Sequence, residues 1–200
     1  SALRVYGVGN THLLDDLLAA PQLARFDLAG AADRAPKDEG GLNVEGLAAT
    51  PDGTLLIGFR NPIPGGLALV VPLLDADTLV APGGGPAHFG APVLLDLGGR
   101  GVRALAPWRG GYLIAGGDRA GADDSRLYSW SGAADDSPSL LLDLDGYNPE
   151  ALLVDEGRAQ ILIVSDDGTR RVDGVACKQR KHGKNRSFRG LWIDVPQAAP

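Results

Sequence analysis

Residues 43–48 of the chain, Asn-Val-Glu-Gly-Leu-Ala, open a pattern that occurs three times. A turn at 51–53 (PDG) and an apolar run at 55–58 (LLIG) follow it. The second copy has GVRALA at 101–106, RGG at 109–111 and YLIA at 112–115, and the third has NPEALL at 148–153, EGR at 156–158 and ILIV at 161–164. Two short apolar segments around a glycine-containing turn are typical of a β-hairpin. A hairpin that recurs after 58 and then 47 residues (45 to 103, 103 to 150) is typical of β-propeller blades.

Two further apolar segments extend these hairpins. A third strand is predicted at 67–71, 126–130 and 188–193, and a fourth, ending in Asp-Leu, is predicted at 93–97 and 140–144. The third copy has no such fourth segment before Pro196. The sequence therefore predicts one all-β domain over residues 1–200. We expect a β-propeller or partial propeller with about three four-stranded blades, at approximately 43–98, 101–145 and 148–195.

Residues 1–40 are predicted to contain a short N-terminal helix and one outer strand. The segment from His12 to Ala20 has leucines at helical spacing, with Thr11 as its N-cap and Pro21 to end it. Residues 24–28 end in Asp-Leu like the fourth strands. They would form the outer strand of a preceding blade or close the third blade and so remove a sheet edge. Residues 75–91, rich in Gly and Pro, are predicted to form a long loop within the first blade.

Three blades are fewer than the number in a usual propeller. Three arrangements would account for this: a longer propeller with further N-terminal blades, a six-bladed ring formed by a homodimer, or an open ring. The chain contains no methionine, not even an initiator. We expect the first arrangement, in which the chain is part of a longer propeller.

Composition argues against several classes of partner and site. Lys and Arg number 19 against 25 Asp and Glu, and the net charge of −6 argues against nucleic acid. No apolar run is long enough to cross a membrane. Cys177 is the single cysteine and excludes an intrachain disulfide, which favours a reducing, cytoplasmic location. One cysteine and three scattered histidines do not supply the ligands of a zinc cluster.

Polar side chains cluster where the first strand of each predicted blade begins and the second ends. These two ends lie on the same rim because the strands are antiparallel. The oxygen donors predicted to bind a hard cation such as Ca²⁺ or Mg²⁺ are Asn43, Glu45, Asn148, Glu150 and Asp166. The residues predicted to bind a small anionic molecule are Arg60, Arg103, Asp118 and Arg119. The alternative is structural: Glu45 and Glu150 would tie neighbouring blades together through ion pairs with arginine.

The basic stretch from Lys178 to Arg189 is the one strong run of positive charge. It follows the second strand of the third copy, so we expect it near the same rim. We interpret it as a solvated loop, with recruitment of an anion as the alternative. The sequence Asp166-Asp167-Gly168-Thr169 is interpreted as a turn, because it lacks the ligand spacing of an EF-hand.

Residues 43–48, 55–62 and 96–103, taken in order, resemble a bacterial family of uncharacterised domains with a predicted propeller structure. The resemblance covers residues 41–195 and implies further blades at the N-terminal side. More distantly, the chain is similar to the esterase-like phytases and to gluconolactonase-type six-bladed propellers. That similarity implies a central calcium-type site and hydrolysis of a lactone or phosphoester. Glu45 matches the acidic residue that opens the first channel strand in those enzymes, whereas Arg103 departs from the pattern.

These observations leave three functions open. The preferred one is a propeller of unknown function that binds a small anionic ligand or a cation at the channel mouth. The second is a metal-dependent hydrolase, in which Glu45 and Glu150 help to hold a cation while Arg60 and Arg103 clamp an anionic substrate. The third is a non-catalytic scaffold or interaction module. The fold does not decide between them, because propellers support many functions.

Overall fold

The computed structural model describes residues 7–119, 124–181 and 186–194. Outside this range lie residues 1–6, residue 195 at the end of the predicted third blade, and residues 182–185 in the middle of the basic stretch. The described helices are α1 (Leu13–Ala19), α2 (Leu28–Ala32) and α3 (Ala76–Leu79). The described strands are β1 (Asn43–Ala49), β2 (Leu55–Asn61), β3 (Ala68–Leu73), β4 (Val93–Leu95), β5 (Gly101–Trp108), β6 (Gly111–Gly117), β7 (Arg126–Trp130), β8 (Ser139–Asp143), β9 (Pro149–Asp155), β10 (Gln160–Ser165), β11 (Arg171–Val172), β12 (Val175–Ala176) and β13 (Arg189–Asp194).

Three antiparallel sheets follow one another along the chain. The first sheet has the order β1-β2-β3-β4 and the second has the order β5-β6-β7-β8. The third sheet has the order β9-β10-β13, and β11 and β12 form a small hairpin of their own. The prediction of a mostly β chain built from antiparallel four-stranded sheets is confirmed for the first two copies. Within the described residues the third sheet has three strands, as expected from the missing fourth segment.

The sheets stack face to face, with β1 beside β5 and β5 beside β9. An apolar cluster that includes Leu56, Val70 and Ile114 fills the space between the first and second sheets. A second cluster, built around Leu113, Ile161 and Ile163, fills the space between the second and third. Alternate residues of β6, such as Leu113 and Ile114, therefore point to opposite faces. Both faces of the second sheet are buried around β5 and β6, whereas its edge strand β8 is exposed.

Glycine allows β1 and β2 to come close to the second sheet. A Cβ atom at Gly46 or Gly58 would lie 2.6 Å from a methyl group of Val102, which is far inside van der Waals contact. The Val102 side chain is completely buried between these two glycines. Gly46, the third residue of the VEG sequence in the first copy, therefore packs against the start of the second copy.

Helices cover the outer face of the first sheet. Leu17 of α1, Leu23 and Leu28 pack against Phe59 and Leu69, on the face opposite to the second sheet. The predicted helix is present but shorter, Leu13–Ala19, and His12 takes the N-cap position in place of Thr11. None of the described helices is long and apolar enough to cross a membrane.

The prediction of an outer strand at residues 24–28 is wrong. Residues Pro21–Phe26 form a 3₁₀ helix, and α2 begins at Leu28. Asp27 between them has φ 47°, in the left-handed region, and its carboxylate accepts a hydrogen bond from the Gly30 amide. The Asp-Leu sequence here is therefore a helix start, in which Asp27 caps α2 and Leu28 enters the core.

The segment predicted as a long loop, 75–91, contains α3 and returns to the first sheet. Phe89 forms a β-bridge with Leu73, and the Ala87 amide donates to Asp16 of α1 at 2.8 Å. The loop thus connects the first sheet to the helices that cover it.

The outer face of the third sheet is open within the described part of the chain. Leu153, Leu162 and Trp192 form one row across β9, β10 and β13, because Leu162 pairs with each of the other two. Leu153 and Trp192 are 52% and 53% exposed. The stack therefore has helices at one end and a partly apolar sheet face at the other.

Candidate functional site

The first strand of each of the three sheets carries a bulge at the same position of the repeat. In β1 the pairing passes from Val44 to Gly46, so Glu45 has no partner on β2. In β5 and β9 the pairing skips Arg103 and Glu150 in the same way. A bulge turns the extra residue out of the regular alternation and re-aims its side chain. All three side chains are thereby directed to the rim, the edge where β1, β5 and β9 begin and β2, β6 and β10 end.

Arg60 joins the first sheet to the second at this rim. Its Nη1 lies 2.6 Å from Oε1 of Glu45, and its Nε and Nη2 both donate to the Asp118 carbonyl at 3.2 Å. Asn43 donates to the same Glu45 oxygen at 3.0 Å. Asp118 follows β6, so this guanidinium bridges neighbouring sheets. The Arg60 side chain is buried, and each of its nitrogens donates to an acceptor.

Arg103 joins the second sheet to the third. Its side chain is 1% exposed. Nη2 lies 2.8 Å from Oε1 of Glu150, Nε donates to the Pro149 carbonyl at 3.0 Å, and Nη1 donates to Oδ1 of Asn148. Nε also lies 3.9 Å from Oε2 of Glu45. Burial lowers the pKa of Arg103, and the charge of Arg60 lowers it further, while the two glutamates oppose this.

Glu45, Arg103 and Glu150 therefore form a row of alternating charge across three sheets. We call these residues, with Arg60, the ion row. Glu45, Arg103 and Glu150 come from corresponding bulges of the three copies, so the repeat places them in line, and Arg60 joins them from the end of β2. Burying such charges is favourable only where hydrogen bonds satisfy them, and the arginines meet that condition. This geometry matches the structural alternative in which ion pairs tie the sheets together.

A polar cavity of about 400 Å³, here called the rim pocket, opens beside the third sheet. The lining residues are Gly146, Asn148, Asp166, Asp167, Thr169, Arg170, Arg171 and Arg189. Asn148 belongs to both sites, because its Oδ1 accepts from Arg103 of the ion row. Three arginines and two aspartates line this pocket, so its lining side chains carry one net positive charge.

Asp167 and Arg189 form the wall of the rim pocket. Nε and Nη2 of Arg189 lie 2.8 and 2.9 Å from the two carboxylate oxygens of Asp167. The guanidinium also stacks on the Tyr147 ring, 4.4 Å from its centroid. Hydrogen bonding from Arg189 holds the pKa of Asp167 below its usual value, although burial acts in the opposite direction. The Ser165 hydroxyl and the nearby charge of Arg170 also lower that pKa.

The remaining carboxylate of the pocket is held by its own turn. Oδ1 of Asp166 accepts from the Gly168 amide at 2.8 Å, and its backbone amide donates to the Asn148 carbonyl at 2.7 Å. Arg170 and Arg171 follow this turn and are exposed, and Arg171 donates to the Gly174 carbonyl at 2.7 Å. The turn predicted at 166–169 thus places two arginines at the mouth of the pocket.

The structure separates the residues predicted for this rim into three groups. One hydrogen-bonded group contains the four residues of the ion row (Glu45, Arg60, Arg103 and Glu150) together with Asn43 and Asn148. Asp118 contributes its carbonyl to Arg60, and Asp166 lines the rim pocket. Arg119 lies apart from both sites, with its Nη2 3.5 Å from Oε2 of Glu39.

Sequence reasoning overlooked Arg170 and Arg171 as ligand-binding residues. The signal available was their position directly after the Asp-Asp-Gly-Thr turn that ends β10. The sequence identified Arg189 only as the last residue of the basic stretch, not as a residue of a binding site. Its place opposite Asp167 depends on the pairing of β13 with β10, where Arg189 lies beside Ser165.

Two of the oxygen donors predicted for a cation site accept hydrogen bonds from arginine instead. In the ion row, Oε1 of Glu45 and Oε1 of Glu150 each accept from an arginine. In the part of the chain that the structure describes, no group of three or more His, Cys, Asp and Glu side chains is arranged to hold a metal ion. In the ion row, a cation bound at these glutamates would therefore have to displace a guanidinium group from each of them.

Comparison with known proteins identifies a family. A family model described as Protein of unknown function (DUF3616) matches residues 2–186. The match spans the helices, the first two copies of the repeat and the third copy up to residue 186, before β13. No curated protein matches the chain. The expected resemblance to a family of uncharacterised domains is confirmed.

Proposed function

We propose that this chain, which belongs to the family described as Protein of unknown function (DUF3616), is a propeller-type binding module that holds a small phosphate or carboxylate compound in the rim pocket. The single observation that carries this proposal is the excess of guanidinium groups in that pocket. Arginine forks suit the oxygens of phosphate and carboxylate groups better than any other side chain does.

The stacking of the sheets supports the propeller part of the proposal. The first strand of each sheet lies beside the first strand of the next, as the innermost strands of propeller blades do. Charged residues at one end of those strands would then surround a central channel. The ion row would hold the innermost strands in register, and the rim pocket would lie at the mouth.

The partners of the arginines decide which of them bind a ligand. Arg60 and Arg103 are buried and donate to protein acceptors, so we assign them a structural role. Arg170 and Arg171 are exposed at the rim pocket, and a ligand can reach them without breaking the ion row. Asn148 and Thr169 would add neutral polar contacts that orient the ligand.

A metal-dependent phosphoester or lactone hydrolase is the alternative. In that case Glu45, Glu150, Asn148 and Asp166 would hold a divalent cation, which would supply the activation of a water molecule. We rank it second because Glu150 accepts from Arg103 and Asp166 accepts from Gly168. It predicts a rise in melting temperature when Ca²⁺ or Mg²⁺ is added to chelator-treated protein. Anion binding at the rim pocket predicts no such rise.

Isothermal titration with inorganic phosphate and with citrate, at low ionic strength, tests the proposal. We expect one site, with affinity that falls as salt rises, and a loss of about tenfold in Arg170→Ser. Arg158→Ser is the matched control, because Arg158 is exposed at the opposite end of the β9–β10 hairpin, beside Asp155. Equal affinities in the wild type and Arg170→Ser, or no binding of either anion, would refute the proposal.

A further inference from the structure

The rim pocket has room for more than a bare phosphate or carboxylate group. Its volume of about 400 Å³ lies within the range of sites that enclose a whole small molecule. Apart from Gly146, every residue that lines it has a polar or charged side chain. An apolar ligand body would remove water from these groups without replacing the hydrogen bonds, which costs free energy. The part of the ligand beyond its anionic group must therefore be polar as well.

Two of the charged residues in the rim pocket are held by each other. Nε and Nη2 of Arg189 lie 2.8 and 2.9 Å from the two carboxylate oxygens of Asp167, whose side chain is buried. A ligand would have to break these bonds to use either residue, and it would then leave a buried carboxylate without its partner. The charged side chains that a ligand meets are therefore those of Asp166, Arg170 and Arg171.

Asp166 offers a ligand one carboxylate oxygen. Its Oδ1 accepts from the Gly168 amide at 2.8 Å, which fixes the carboxylate on the turn after β10. Its Oδ2 accepts from no residue in the part of the chain that the structure describes. Asp166 is exposed, so both water and a ligand can reach this oxygen. A ligand group that donates to Oδ2 makes a charge-assisted hydrogen bond, which is stronger than one between neutral groups.

The arginines of the pocket restrict the kind of donor. Arg170 and Arg171 line the same pocket as Asp166, so an ammonium group placed there would be repelled by two guanidinium groups. A neutral hydroxyl group donates to Asp166 without that repulsion. A hydroxyl group also accepts hydrogen bonds, which suits the Asn148 amide and the Thr169 hydroxyl in the same lining. Hydroxyl groups therefore match this set of side chains better than ammonium groups do.

We propose that the ligand of the rim pocket carries hydroxyl groups beside its anionic group. The anionic group contacts Arg170 and Arg171, and a hydroxyl group donates to Oδ2 of Asp166. This inference rests on the proposed function, because it requires that an anion binds in the rim pocket, and it narrows the ligand to a small hydroxylated phosphate or carboxylate. An anion without hydroxyl groups binds more weakly, because it places its charge near Asp166 and donates nothing to that carboxylate.

Isothermal titration of the whole chain with two matched pairs of compounds tests the preference for hydroxyl groups. Within each pair, sn-glycerol 3-phosphate with propyl phosphate and glycerate with propionate, the members differ only in two hydroxyl groups. We expect the hydroxylated member to bind about tenfold more tightly in the pair that binds, and that pair identifies the anionic group as phosphate or carboxylate. Equal affinities within a pair that binds would overturn this inference and leave the proposed function standing. Binding of none of the four compounds would overturn both.

Asp166→Ser tests the residue that accepts the hydroxyl. Serine can still accept from the Gly168 amide in the turn but offers no second oxygen. We expect the preference for the hydroxylated compound to disappear, while its partner without hydroxyl groups binds as tightly as before or more tightly, because a carboxylate near the anion is gone. Asp96→Ser is the matched control, because Oδ1 of the exposed Asp96 also accepts from a glycine amide, that of Gly98, at 2.8 Å, outside the pocket lining. A wild-type preference in Asp166→Ser would overturn the assignment of the hydroxyl to Asp166.

Discussion

Nη2 of Arg103 lies 2.8 Å from Oε1 of Glu150, although the two residues occupy corresponding positions of successive copies of one repeat. Both are bulge residues that their neighbouring strands skip. A symmetrical repeat with the same residue at both positions would set like charges against each other. The exchange of Glu for Arg in the second copy turns that repulsion into a bridge between sheets. The difference between the copies at this position therefore allows the second and third sheets to stack with an ion pair between them.

The ion row should be a large contributor to stability. Arg103→Ala leaves the buried Pro149 carbonyl and the partly buried Asn148 without their donor, removes the charge beside Glu45, and leaves a cavity, whereas water can solvate the half-exposed Glu150 carboxylate. We expect a loss of about 2–4 kcal/mol in the free energy of unfolding, from the unsatisfied acceptors and the cavity. Urea denaturation followed by tryptophan fluorescence measures it.

Arg126→Ala is the control for that experiment. Arg126 pairs with Asp143 at 2.8 Å, but both side chains are at least one-third exposed. Surface pairs contribute little, so we expect a loss of under about 1 kcal/mol. If Arg103→Ala were as mild as Arg126→Ala, the ion row would not be the element that holds the second and third sheets together.

Gly101 should tolerate no side chain. A Cβ atom there would lie 2.0 Å from the carbonyl oxygen of Arg60, and this neighbour is backbone that cannot rotate away. Gly101→Ala would push β5 away from β2 and disturb Arg60 in the ion row. We expect a loss of about 2 kcal/mol or more in the free energy of unfolding, as in overpacked cores.

Gly85→Ala is the matched substitution. No atom lies within 4 Å of a Cβ built at Gly85, which is exposed in the loop after α3. We expect a change within about 0.5 kcal/mol. Comparison of the two melting curves separates the steric effect at Gly101 from the general effect of replacing glycine. A similar melting temperature for both variants would contradict the close approach of β5 to Arg60.

The repeat and most of its strands could be predicted because their signals are local. Apolar runs around the turns at 51–53, 109–111 and 156–158 gave hairpins that agree with β1–β2, β5–β6 and β9–β10 to within three residues at each end. Strand β7 has the predicted bounds, Arg126–Trp130. The same local pattern gave a wrong prediction of a strand at 24–28. Asp27 adopts a left-handed conformation and begins a helix there, and the spacing of apolar residues does not reveal this.

The partners at the rim could not be predicted in the same way. The sequence placed Glu45, Arg60, Arg103 and Glu150 at one edge, but which of them pair depends on three bulges in strand register. Bulges depend on contacts between strands and have no fixed local sequence. The rim pocket depends on contacts of longer range still, because it needs β13 to return beside β10 and bring Arg189 to Asp167.

Cys177 should be protected from thiol reagents in the folded protein. Its side chain is buried, its Sγ lies 3.3 Å from the Ser187 carbonyl, and the Ser187 amide donates back to the sulfur at 3.3 Å. We expect Ellman's reagent to react far more slowly in buffer than in urea, because the thiol must first be exposed by local opening. Equal rates in the two solutions would show that residues 177 and 187 do not pack together in solution.

The Asp167–Arg189 pair should make stability depend on acid pH. The hydrogen bonds from Arg189 hold the pKa of Asp167 below 3.8, its ordinary value, in the folded state. The unfolded chain therefore takes up a proton at a higher pH than the folded chain does. The contribution of this pair to the free energy of unfolding is fully present well above pH 3.8. It is lost as the pH falls from there through the folded-state pKa of Asp167.

Asp167→Asn should remove that part of the pH dependence. The variant should be less stable than the wild type at neutral pH, because Arg189 loses a charged partner beside a buried position, and the difference between the two should shrink as the pH falls below about 4. Urea denaturation at a series of pH values from 7 to 3 measures both effects. Asp77→Asn, at an exposed position in α3, is the control and should follow the wild type throughout. A constant gap between Asp167→Asn and the wild type over the whole series would mean that the carboxylate does not titrate as the pairing with Arg189 requires.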